Sequence, residues 1–273
     1  MFKIIIMALL IFIGMVGYDN ITDKAQPTTP VQQEQQKVSK HEKSAAMALF
    51  VSLLPPKEEW PSPVHKFYLA FNMDEVIDPI RQNPNWTGLD AMSRDIPQAL
   101  IAIEDHAFYN HGAIAVEGIL RAALANINAG EVVQGGSTLT QQFVKNVFLS
   151  HEQSMERKIE EAMLSLMLED NYSKDEILEL YLNTTYFGAG STGIRQASRT
   201  YFGKAPSALT LAEAAVIASL PYAPTSLNPL ENPEGCKKRQ LLVLAAMHKY
   251  GCTNNSRILL SSLSKNIRKQ PIL

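Results

Sequence analysis

Cysteine is nearly absent from this chain: Cys236 and Cys252 are the two among 273 residues. Two thiols build neither a disulfide framework nor a four-ligand zinc site. They leave open a single bridge in an oxidising compartment, or two thiols packed as small hydrophobes. An excess of charge of either sign is also missing, since 25 Lys and Arg against 27 Asp and Glu leave a net charge of −2. No general basic field points to nucleic acid, so any anion site must be a local cluster. Runs of alternating apolar and polar residues are absent, as are internal repeats, which argues against a β-rich fold.

Long hydrophobic runs are limited to one, Ile4–Gly17, preceded by Lys3 and followed by Tyr18, Asp19 and Asn20. It falls short of the ~20 residues that span a bilayer comfortably, yet no A-x-A-like cleavage site follows it and no cysteine is near for lipidation. Lys3 before the run and Asp19 and Asp23 after it fit an N-inside orientation. We read 1–20 as a retained membrane anchor, with a cleaved signal segment as the alternative, and the remainder as extracytoplasmic. Residues 21–44, rich in Gln, Thr, Pro and Lys, are expected to form a flexible stalk. Residues 45–85 carry no motif, although Ala45–Leu54 before Pro55 and Pro56 suits a core helix or an interfacial one.

From Ile96 onward the pattern is helical. Ile159, Ala162, Met163, Leu166 and Met167 form one apolar stripe at helical spacing. Ser173 with Glu176 is a capping box that opens a helix through Leu182, and Thr210 with Glu213 is a second, before an Ala-rich run ending at Pro221. Asn232 and Pro233 suit the N-cap and first residue of a helix that Gly251 would close. Gly188, Gly190 and Gly193 mark a tight loop. The expected fold class is mainly α.

Four blocks set polar residues in apolar surroundings. Glu104 follows an apolar run and precedes Asp105, His106, Phe108, His111 and Gly112. Desolvation there would raise a carboxyl towards the range of a general base or acid, whereas a solvated turn would leave it ordinary. The Asp and His spacing matches no standard metal motif. The second block runs from Gln134 through Gly135, Gly136, Ser137, Thr138, Gln141 and Gln142 to Lys145 and Asn146. A Gly pair feeding a helix N-terminus, with Gln141 and Lys145 on one face, suits a sugar phosphate. Arg157, Lys158 and Glu161 form the third block, and alone they read as a solvated ion-paired helix. The fourth, Glu179–Asn183 with the glycine loop, reads as the wall of a cleft.

The order and spacing of these blocks resemble the peptidoglycan glycosyltransferases of family 51, the transglycosylase part of class A penicillin-binding proteins and their monofunctional relatives. E-D-x-x-F-x-x-H is met by Glu104, Asp105, Phe108 and His111, and G-G-S-T-x-T-Q-Q by Gly135 through Gln142. R-K-x-x-E is met by Arg157, Lys158 and Glu161. Ile177–Asn183 echoes a fourth element, and Leu211–Pro221 with Pro224, Asn228 and Pro229 a fifth. The likeness runs from about Trp86 to Tyr250, so 86–255 is expected to be the catalytic domain and 256–273 a tail. Ala113 and Ala115 depart from the family, which usually has Gly and often Asp there. Were φ positive at Ala113, the cost would be about 1 kcal/mol.

The resemblance implies a lysozyme-like helical domain that joins lipid-linked disaccharides (lipid II) into a β-1,4 glycan with inversion, releasing the lipid pyrophosphate. Glu104 would be the general base and Glu161 a second catalytic carboxylate that orients cations or holds a divalent ion. Lys145, Arg157 and Lys158 would meet the pyrophosphate. Asp105, Phe108, His111, Ser137, Thr138, Gln141, Gln142 and Asn146 would complete the substrate site. No cofactor is required, with a divalent cation at most accessory. The partners are lipid II, the growing strand, the membrane and other cell-wall synthesis proteins, with the domain outside a single-pass anchor. A glycan hydrolase or lytic enzyme and a non-catalytic wall scaffold are the alternatives. The S-x-x-K match at Ser262–Lys265 lacks its partner motifs, so no penicillin-binding half is expected.

Overall fold

The computed structural model describes residues 68, 69, 72–120, 127, 135–150 and 154–254. The anchor, the stalk, Ala45–Leu54, Gln134 and the tail from 255 onward lie outside the described residues. Eight α-helices follow one another among those described: α1 Asp74–Arg81, α2 Asp95–Glu104, α3 Leu139–Phe148, α4 Met155–Asn171, α5 Lys174–Thr184, α6 Ile194–Phe202, α7 Leu211–Ser219 and α8 Pro233–Lys249. No strand forms among the described residues; one antiparallel bridge joins Tyr186 and Thr192. The mainly α expectation holds.

α7 lies at the centre. All of Leu211–Ser219 is buried, because a sequence apolar on every side must be covered on every side. Ala214, Ala215 and Ala218 are small enough for α2 and α8 to pack on it closely, and those two also pack on each other. Glu213, the one charge in α7, is satisfied where it is buried. It caps Thr210 and receives Lys204 Nζ at 2.7 and 2.9 Å. α3 packs between α4 and α5, and α1 is tied on by the Tyr172–Asp74 hydrogen bond and the Arg81–Glu176 ion pair at 3.1 Å.

The helix starts follow the side-chain chemistry. Ser173 with Glu176 and Thr210 with Glu213 form their capping boxes, and Asn232 Oδ1 accepts from Gly235 N at 2.9 Å. α8 ends at Lys249, with Gly251 beyond it at φ 74°. The α4 stripe differs from a core stripe. Its buried face is Glu161, Leu164, Ser165 and Leu168, whereas Ile159, Met163 and Leu166 are exposed together with Met155. The reason is the neighbouring α3, which buries the face that carries Glu161.

Ala189 is the only non-glycine residue with positive φ among those described, so Ala113 bears no left-handed strain. Ala113 is buried, and its carbonyl accepts the Thr138 hydroxyl at 2.7 Å. Ala115 precedes a helical stretch over 116–120, with its carbonyl accepting Ile119 N–H at 3.0 Å. It therefore stands at an N-cap, which explains why an aspartate suits that position. Cys236 and Cys252 are both free thiols, Cys236 buried.

Candidate active site

α2 ends at Glu104 because Asp105 leaves helical geometry at φ −155°. Glu104 thus sits at the carbonyl end of a buried helix, where the dipole disfavours an anion. Its Oε2 accepts from Gln142 Nε2 at 3.1 Å, and Gln142 Oε1 accepts from the buried Tyr181 hydroxyl at 3.0 Å. The amide is thereby fixed with its NH2 towards the carboxylate. Oε1 of Glu104 is buried with no hydrogen-bond partner among the described residues. Burial pushes the Glu104 carboxyl above its ordinary range, against the Gln142 hydrogen bond and the charges of Arg239 and Lys145, and Asp105 pushes the same way as burial. Burial also drives the Tyr181 hydroxyl up, with the Glu104 charge adding to it, so that it stays a donor.

Asp105, one residue on, is held quite differently. Its Oδ2 accepts Leu139 N–H at 3.0 Å, at the N-terminus of α3, and its Oδ1 lies 2.6 Å from His111 Nε2. His111 Nδ1 in turn lies 2.6 Å from the Gly112 carbonyl. Asp105 and His111 therefore lock the 105–112 turn onto α3. Phe108 has no exposed surface and lies beneath Lys174 Nζ, 4.5 Å from its ring centroid. Thr138 and Gln141 are buried and bonded to each other in a capping box that opens α3. These three side chains are thus spent on the fold, and T-x-x-Q is the sequence signature of that box.

The cations gather at the start of α4. Glu161, only 2% exposed, has one oxygen against Lys158 Nζ and the other 3.6 Å from Arg157 Nη1. Lys158 Nζ also donates to Ser137 Oγ at 3.1 Å, which ties the Gly-Gly-Ser segment to this cluster. Arg157 Nε is buried without a partner among the described residues. Both oxygens of Glu161 thus face the two cations of its own helix. Lys145 and Asn146 stand exposed on α3.

The chain matches a family model, described as transglycosylase, over residues 73–248. The chain belongs to the transglycosylase family. Penicillin-binding protein 1A of Aquifex aeolicus is 44% identical over 166 residues, covering 61% of this chain and 23% of that protein. Penicillin-binding protein 1A of Neisseria flavescens is 45% identical over 170 residues, covering 62% and 21%. A Cupriavidus necator protein described as a transglycosylase is 41% identical over 177 residues, covering 65% and 76%. The chain spans a quarter or less of the length of the penicillin-binding relatives.

Two groups at the transglycosylase site escaped sequence reasoning. Tyr181 stands in the Glu179–Asn183 block expected to form the cleft wall, and nothing in its spacing announces that it orients Gln142. Arg239 sits in an ordinary-looking Lys237-Lys238-Arg239 run on α8, a helix that packs on α2, more than 130 residues from Glu104.

Proposed function

We propose that this chain is a peptidoglycan glycosyltransferase of lysozyme-like architecture that polymerises lipid II into β-1,4 glycan at the outer face of the cytoplasmic membrane. The carrying observation is the buried Oε1 of Glu104, which has no hydrogen-bond partner among the described residues. The acceptor's 4-hydroxyl gives its proton to that oxygen while its own oxygen bonds to the donor's anomeric carbon. The bond from that carbon to the pyrophosphate breaks on the opposite face, inverting the centre. Gln142, fixed by Tyr181, holds the other carboxylate oxygen and so aims the free one.

The leaving lipid pyrophosphate departs with its electron pair and needs no proton where cations meet it. Lys145, Arg157 and Lys158 supply them, and Glu161 orients the last two. Ser137, Gln142 and Asn146 line the sugar path, whereas Asp105, Phe108, His111, Thr138 and Gln141 shape it from behind. No cofactor enters this scheme. The exposed face of α4, with Met155 80% and Ile159 67% exposed, and Val116, Ile119 and Leu120 suit contact with lipid, where the substrate's tail resides.

Purified protein given lipid II should build polymer and release lipid pyrophosphate. Glu104→Gln keeps size and hydrogen bonding but not basicity, and should lower polymerisation by about 10²–10⁴-fold or more with substrate binding retained. Shortening of preformed glycan with lipid II untouched would instead identify a hydrolase. A protein silent in both assays would be a scaffold.

A further inference from the structure

Glu169 and Lys174 each stand at the helix end that suits them least. Glu169 lies in the last turn of α4, which holds no basic residue. Lys174 is the first residue of α5, between the N-cap Ser173 and the acidic Asp175 and Glu176. A helix dipole favours cations at its C-terminal end and anions at its N-terminal end, so both placements work against it. Local preference explains neither charge, and such conflicts between local rule and final structure gather at functional sites.

Their tertiary contacts supply a reason. Lys174 Nζ donates to Glu169 Oε1 at 2.7 Å, and the same oxygen accepts the Thr140 hydroxyl at 2.5 Å. Lys174 Nζ also lies over the Phe108 ring, 4.5 Å from its centroid. Thr140 and Phe108 have no exposed surface, and the side chains of Lys174 and Glu169 are only 20% and 14% exposed. A pair so covered is screened little by solvent ions. The next residue of α5 repeats the grip, with Asp175 Oδ1 accepting the Tyr109 hydroxyl at 2.7 Å. The path closes on itself, because Asp105, in the same turn as Phe108, accepts Leu139 N–H at 3.0 Å, one residue before Thr140. The 105–112 turn, α3, α4 and α5 thus meet around the first turn of α3, beside Gln142.

We propose that Lys174 and Glu169 are positioning residues for glycosyl transfer: the pair ties Thr140 to Phe108 and so fixes α3, whose Gln142 aims the Glu104 carboxylate. The proposal rests on the reading of Glu104 as general base. Neither residue of the pair touches substrate in this scheme. Gln142 Nε2 stands 3.1 Å from Glu104 Oε2, and a shift of α3 by ~1 Å would break that hydrogen bond. A misplacement of this size can slow a reaction about 10²-fold.

The test is steady-state polymerisation of lipid II by the full chain. Lys174→Met keeps an unbranched apolar stem beside Phe108 and removes the charge. It should lower kcat by about ten- to a hundredfold and move KM for lipid II by less than about twofold. Lys174→Arg keeps a cation for both Glu169 and the ring, and should restore most of the rate. Made in a Gln142→Ala protein, Lys174→Met should cost less than about twofold, because the amide through which the pair acts is already gone. A loss by the same factor in both backgrounds overturns the proposal, since general weakening of the fold would give that pattern. A raised KM with kcat unchanged also overturns it, as that would mark a substrate contact. Should Lys174→Met fail to fold, Thr140→Val serves instead, removing the hydroxyl while keeping the shape. It should lower kcat in the same Gln142-dependent way, and an unchanged kcat overturns the proposal. Glu104→Gln measured alongside separates the two ideas. Full activity in that variant removes the base and with it the role of the pair. An inactive Glu104→Gln, with Lys174→Met costing as much without Gln142 as with it, removes only the role given to Lys174 and Glu169.

Discussion

A carboxylate at the end of a buried helix is costly to keep ionised, and Glu104 carries that cost with one oxygen unsatisfied. Its folded-state titration lies above that of the unfolded chain, so the stability tied to it is fully present at low pH and is lost as pH rises through the folded value. Glu104→Gln should therefore raise Tm near neutral pH, and the gain should vanish below about pH 4, where both states carry the proton. Thermal melts of the two proteins across pH check this; a variant less stable than wild type at neutral pH would contradict it. Lys145 and Arg157 separate on the same axis. Lys145 is exposed, so Lys145→Ala should cut polymerisation and leave Tm within about 1 °C. Arg157→Ala should cut polymerisation and also cost about 1–3 kcal/mol, because the buried Glu161 loses one of its two partners. Equal Tm losses in the two variants would show that Lys145 belongs to the fold instead.

Among the elements, the starts of helices carry the clearest consequences. Thr138 closes the box with Gln141 and also donates to the Ala113 carbonyl, so Thr138→Ala should cost about 2 kcal/mol, more than an ordinary cap. Ala115 has no side chain with which to cap the stretch at 116–120. Ala115→Asp should add about 0.5–2 kcal/mol, readable as a shifted urea midpoint with unchanged slope. The loop after α5 gives the opposite sign. Gly188 has φ 86°, and a Cβ there would stand 2.4 Å from the Pro224 carbonyl oxygen. Gly188→Ala should thus cost about 2 kcal/mol or more in the same measurement.

At the scale of the whole molecule, one face stays apolar where a soluble core would have buried it. Met155, Ile159, Met163 and Leu166 recur every three or four residues on the exposed side of α4. None of the described helices is long and apolar enough to cross a membrane. Ile159→Lys with Met163→Lys should weaken flotation of the protein from residue 66 onward with anionic vesicles and leave its Tm nearly unchanged. Undiminished flotation would assign that face another role. The same stripe shows what spacing alone conveys: Ile159, Met163 and Leu166 announce a helix with an apolar side, yet not whether that side meets protein or lipid.

The sequence by itself determined the mainly helical class, three of the helix caps and the motifs that carry the proposed site residues. Those are local properties: a capping box closes within four residues, and Glu104, Lys145, Arg157, Lys158 and Glu161 stand in short contiguous motifs. Only the tertiary structure separated Asp105, tied to the α3 N-terminus, from Glu104, left with an unbonded oxygen at the end of α2. It alone placed Phe108, Thr138 and Gln141 inside the fold and joined Tyr181 to Gln142. The physical reason is range. Propensity and capping act between neighbours along the chain, whereas desolvation and Coulomb fields depend on which helices pack, and here that decision rests with the buried α7 that gathers α2 and α8.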